Sequence, residues 1–105
     1  MSASENKHSQ DREALRVQLN GETAKLDWQE LARHFARGVV IRVAPSLDLV
    51  DVAVAVVSDD RDAVEAWTTS GAMVPASEDD ARRWNAEQTV FWAVVTAPWV
   101  LVQEI

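Results

Sequence analysis

The final third of the chain constrains its fold most, because it closes on two β-branched, aromatic runs, Thr89-Val90-Phe91-Trp92-Ala93-Val94-Val95 and Trp99-Val100-Leu101-Val102-Gln103. Only Thr96-Ala97-Pro98 separates them. A three-residue link of this kind predicts an antiparallel hairpin, with Pro98 at the start of the second strand where a backbone donor is dispensable. Alternation puts Val90, Trp92 and Val94 on one face and Phe91, Ala93 and Val95 on the other, so both faces of strand 89–95 are apolar. Such a strand is either central and covered on both sides or partly exposed as an interface. As the terminal run, Trp99 to Ile105 are placed to form a sheet edge that another chain can extend by strand addition. Trp92, Trp99 and Leu101 are therefore the candidate partner-binding residues.

Upstream, helical signals dominate. Asp11 and Glu13 suit a helix N-terminus, Ala14, Leu15 and Leu19 share one face, and Asn20-Gly21 supplies a stop, which predicts a short helix over 11–20. Asp27-Trp28-Gln29-Glu30 is a variant capping box. Trp28, Leu31, Ala32, Phe35 and Ala36 follow with amphipathic spacing, and Gly38 can take the left-handed stop, giving a helix over 28–37. Val39 to Val43 is then a buried strand ended by Ala44-Pro45. Residues 47–57 are ambiguous, since their valines favour strand while Asp48, Asp51 and Ala55 fall in one narrow helical stripe. A largely buried helix is the favoured reading. Capping acids open two further helices at 60–69 and 78–86, and Ala72-Met73-Val74 is a short strand between them.

The domain expected is α+β (mixed α/β), residues 11–105, preceded by a flexible polar tail over 1–10. Three or four strands, at 39–43, 72–74, 89–95 and 99–103, pack against the helices. There is no Cys, no Gly-rich phosphate loop and no apolar run long enough to span a membrane. The opening MSASENKHSQ lacks the apolar core of a signal peptide and the Arg-rich pattern of a transit peptide, which points to the cytoplasm.

Charge is unevenly distributed. The formal net charge of −7 falls entirely on residues 39–105, because the six acids of residues 1–38 are matched by six bases. That surface repels phosphate backbones and anionic lipid, so direct nucleic-acid and membrane binding are not expected. It suits a basic partner, or simply solubility.

Catalytic and metal signals are sparse. His8 falls in the expected tail and His34 lies off the apolar face of helix 28–37. The acids Asp59, Asp60, Asp62, Glu78, Asp79 and Asp80 stand in first turns, where the helix dipole suffices to explain them. Asp48 and Asp51 differ, since acids in an apolar segment must sit at its edge, find partners or occupy a cleft. Arg42 on the preceding strand is a plausible partner, which makes Arg42, Asp48 and Asp51 the possible polar groups of a pocket. No catalytic residue, cofactor or metal is expected. The five Trp residues, with no Tyr, are first of all core fillers.

At Glu22-Thr23-Ala24, Leu26-Asp27-Trp28-Gln29-Glu30-Leu31, Phe35-Ala36-Arg37-Gly38-Val39-Val40, Leu47-Asp48-Leu49-Val50, Val64-Glu65-Ala66-Trp67 and Ala97-Pro98-Trp99-Val100-Leu101-Val102-Gln103 the sequence resembles the DUF2288 family, small bacterial proteins of unknown function. The resemblance spans roughly residues 12–103. It implies a standalone bacterial domain and carries over no activity, cofactor or site. The valine-rich 50–57 stretch departs from the more alanine- and leucine-rich helix of that family.

The leading functional expectation is a non-enzymatic, cytoplasmic protein-binding or regulatory domain, acting on a protein partner or as a homodimer through its terminal hairpin. One alternative is a small-molecule-binding domain or minor enzyme with a Trp-lined pocket. Another is an acidic mimic that titrates a basic partner.

Overall fold

The computed structural model describes the backbone of residues 3–105 and the side chains of residues 11–105. Its elements are α1 (Ala3–Glu22), β1 (Ala24–Asp27), α2 (Trp28–Ala36), β2 (Val40–Val43), α3 (Leu49–Val57), α4 (Arg61–Ser70), β3 (Met73–Pro75), α5 (Glu78–Glu87), β4 (Val90–Thr96) and β5 (Trp99–Glu104). Of the tail expected over 1–10, residues 1–2 lie outside the described residues and 3–10 belong to α1. The helix also runs through Gly21, the expected stop. Its last turn closes at Thr23, whose Oγ1 donates to the Leu19 carbonyl at 2.8 Å.

The caps expected at Asp27 and Ser77 are present, and Asp48 adds one that the sequence reading does not assign. Asp27 accepts the Glu30 N–H at the start of α2, and Asp48 accepts the N–H groups of Val50 and Asp51 at the start of α3. Ser77 and Asp80 exchange side-chain and backbone hydrogen bonds in a capping box that opens α5. Gly38 and Gly71 take positive φ after α2 and α4 (75° and 80°), which any L side chain would resist. The 47–57 ambiguity resolves as helix. Asp48 caps it, Asp51 faces outward, and Leu49, Val50, Val52, Ala53, Val54 and Ala55 are buried.

The sheet has five strands in the order β1-β4-β5-β2-β3, mixed because β5 runs parallel to β2 while every other neighbouring pair is antiparallel. The expected three or four strands miss β1, and β5 is not an edge. It lies between β4 and β2, with Val94 opposite Leu101 on one side and Ile41 opposite Leu101 on the other. Both of its backbone edges are therefore consumed, which excludes strand addition there. The edges are β1 and the three-residue β3, the latter ending in Pro75.

Two helical layers cover the sheet. On one face α1, α3 and α4 enclose Leu19, Ile41, Val43, Val52, Ala53, Met73, Val94 and Leu101. On the other, α2 and α5 bury Trp28, Leu31, Val40, Trp84, Phe91, Ala93, Val100 and Val102. This explains why both faces of β4 and β5 are apolar. An aromatic chain organises the second layer: Trp28 lies 6.0 Å from Trp84, and Trp84 meets Phe91 edge-on at 4.8 Å.

Candidate functional site

The candidate residues separate into three places. Leu101 is fully buried beneath α3, so it belongs to the core and to no docking surface. Trp92 and Trp99 remain 42% and 40% exposed. They sit on the same sheet face at opposite ends of the hairpin, since Trp92 pairs with Gln103 and Trp99 with Thr96 at the turn. Between them Val94 and Leu101 are covered by helices. At the far end, Lys25 on β1 places its ammonium 5.3 Å from the Trp92 ring.

Arg42, Asp48 and Asp51 do not form one site. Asp48 and Asp51 both pair with Arg16 of α1, Asp48 at 3.0 Å, which clamps α1 to α3. The hydrogen bond from Arg16 lowers the Asp48 pKa, against the opposing pull of desolvation. Arg42 alternates to the other sheet face, where it donates to Asp80 at 2.8 Å. Arg83 extends this into a ladder, 3.6 Å from Asp80 and bound at 2.6 and 3.0 Å to the two oxygens of Glu104.

Burial pushes the Asp80 carboxyl up, but the Ser77 amide and hydroxyl together with Arg42 and Arg83 outweigh it, and its pKa is lowered. Glu104 is lowered too, chiefly by the Arg83 hydrogen bonds and in part by the nearby Trp84 indole N–H. That N–H faces the carboxylate without reaching a hydrogen bond of normal geometry. Two cations and two anions thus neutralise one another, and the carboxylates are held ionised. The ladder joins α5 to the sheet. Among the described residues no three His, Asp or Glu side chains cluster as a metal site.

An apolar cleft lies at the turn end of the hairpin. It encloses about 610 Å³ between α3, α4 and the β2-β3 end of the sheet. Ile41, Val56, Val64, Met73 and Pro75 supply its apolar surface, and Trp99 forms one wall. Asp59, Asp60, Arg61 and Glu65 stand at its rim beside Thr68 and Thr69. The groove is open because α4 covers it loosely: no residue of that helix is fully buried, and it meets the core through Val64 and Trp67 alone. A smaller cleft of about 380 Å³ shares Val56 with the groove and is lined by Thr96, whose buried hydroxyl has no partner.

The family model for proteins of unknown function DUF2288 matches residues 14–104. The chain belongs to the DUF2288 family. It is similar to the NMR solution structure of PA1075 from Pseudomonas aeruginosa, at 45% identity and a TM-score of 0.76, covering 87% of this chain and 84% of that one. No curated protein matches at a significant level. No described helix of this DUF2288 domain is long and apolar enough to cross a membrane.

Within the DUF2288 fold the expected polar groups fall on different clefts: Trp99 walls the groove, Asp51 lines a second cleft of about 500 Å³ with Trp67 and Arg16, and Arg42 lines a third. Sequence reading singled out Trp99 but missed Ile41, Val56, Met73, Pro75 and Thr69. Those residues come from separate segments whose adjacency depends on the β5-β2-β3 order. The only signal available was that α4 is weakly apolar, with Val64 and Trp67 as its large inward residues.

Proposed function

We propose that this DUF2288 domain is a non-enzymatic, cytoplasmic protein-binding or regulatory module that docks an apolar anchor of its partner in the groove at Trp99. The observation that carries this reading is Trp99 itself. A large aromatic ring is left 40% exposed on the wall of a predominantly apolar cleft of about 610 Å³. An exposed apolar surface of that kind costs solubility unless something covers it, and a Trp beside a concave apolar surface is a favoured hot-spot arrangement. Val57, 48% exposed, follows the groove-lining Val56 at the end of α3. The charge ladder supports the non-enzymatic part, since its carboxylates are committed to Arg partners.

The test is photo-crosslinking in the native host from a benzophenone side chain placed at Thr69 on the groove rim, with Gln29 on the opposite layer as control. A specific protein adduct from Thr69 and none from Gln29 is expected. Equal labelling from both positions, or no adduct at Thr69, refutes the reading.

A further inference from the structure

We infer that the segment seated in the groove is cationic as well as apolar: a stretch of a basic protein partner in which Lys or Arg flanks an aliphatic anchor. This rests on the docking reading and adds the chemistry of the occupant. Every lining residue of the groove lies between Ile41 and Trp99, within the part of the chain that holds the whole −7. At the rim three carboxylates, Asp59, Asp60 and Glu65, face one guanidinium, Arg61. Arg61 is drawn to Asp59 at 3.5 Å and Asp60 is engaged by Arg12 at 3.3 Å. Glu65 has no ion-pair partner among the described residues and is exposed on the groove side of α4.

The two halves of the site make different demands. The floor of Ile41, Val64 and Met73 accepts an aliphatic side chain and gains from excluding water. Trp99 and Glu65, both on the groove lining, supply a ring face and a carboxylate to which a cation on the adjoining residue is attracted. An anionic segment meets Glu65, which has no ion-pair partner among the described residues, beside two carboxylates already engaged by Arg61 and Arg12, and a neutral one leaves Glu65 without a partner. A second copy of this chain is a poor occupant, since its own −7 opposes approach to an acidic rim.

The experiment is an amide and indole NMR titration of the full chain with blocked tripeptides of sequence lysine–leucine–lysine, glutamine–leucine–glutamine and glutamate–leucine–glutamate, alongside hexylammonium. The lysine peptide is expected to shift the Trp99 indole and the Val64 and Met73 amides, and to bind about ten-fold more tightly than the glutamate peptide. Glu65→Gln, an exposed change that leaves the fold intact, should weaken it about three-fold. Equal or tighter binding of the neutral or acidic peptide overturns the inference. So does a shift centred on Trp92, or hexylammonium binding more tightly than the lysine peptide, which would make the groove a small-amine site. If no peptide perturbs Trp99 while Thr69 still crosslinks a partner, the cationic occupant is wrong and the docking reading stands. If both fail, the docking reading falls as well.

Discussion

Replacing Leu101 with Ala isolates the consequence of finding β5 in the middle of the sheet. Leu101 is fully buried, flanked by Ile41 and Val94 on neighbouring strands and covered by α3. Removing its side chain forfeits about 2 kcal/mol of transfer free energy. A cavity is added, because two hydrogen-bonded strands cannot close over the gap, and the total reaches about 3 kcal/mol. For a domain of this size that lowers Tm by roughly 12–24 °C. Val95 lies in the same hairpin but is 58% exposed, so Val95→Ala should cost only about 0.5 kcal/mol. Urea unfolding and calorimetry of both variants supply the comparison. A cost for Leu101→Ala below about 1 kcal/mol, or one equal to that of Val95→Ala, would return Leu101 to a surface and refute the strand order.

The depressed pKa values of Asp48, Asp80 and Glu104 mean that the folded state binds fewer protons than the unfolded chain. Their contribution to stability is therefore complete above the unfolded carboxylate range and lost as pH falls below about 4, and a Tm that stays flat down to pH 2 contradicts it. Asp80→Asn removes the charge and replaces one of the two carboxylate oxygens that accept from Arg42 and from the Ser77 amide, and should cost about 2 kcal/mol by denaturant melt, discounted for the partial exposure of Arg42. Asp48→Asn, at a more exposed clamp, should cost under about 1 kcal/mol. A reversed order is the failing result. Thr96→Val, which removes a buried hydroxyl with no partner, is expected to be neutral or stabilising by up to about 1 kcal/mol; destabilisation of that size would show that the hydroxyl is satisfied in solution.

Legibility in the sequence followed the range of the interaction. Asp27 and Ser77 act within three residues of their own backbone, so α2 and α5 could be placed from their caps, whereas α3 is only favoured over a strand because the Asp48 cap goes unrecognised among the valines. β1 escaped notice because Ala24 to Asp27 is short, polar and exposed, and becomes a strand only through its pairing with β4. Alternation showed that both faces of β4 are apolar but could not choose between burial and an interface. That choice required two helical layers drawn from distant segments. Asp48 and Asp51 read as acids in need of a partner, with Arg42 offered as that partner, but the partner is Arg16 of α1. The side of the sheet that Arg42 occupies selects Asp80 over Asp48, and side is a property of the whole sheet rather than of the neighbouring residues.

The central claim is that function resides in the groove at Trp99 and not in the exposed Trp92 face. The decisive measurement is capture of the crosslink-identified partner by wild-type protein, by Thr69→Arg and by Trp92→Ser, each checked for an unchanged melting curve. Thr69→Arg fills the groove rim and adds a positive charge on an exposed helix, where a stability change beyond about 0.5 kcal/mol is not expected. Loss of binding in Thr69→Arg with full retention in Trp92→Ser is the predicted result. Retention in Thr69→Arg, or loss only in Trp92→Ser, contradicts the account.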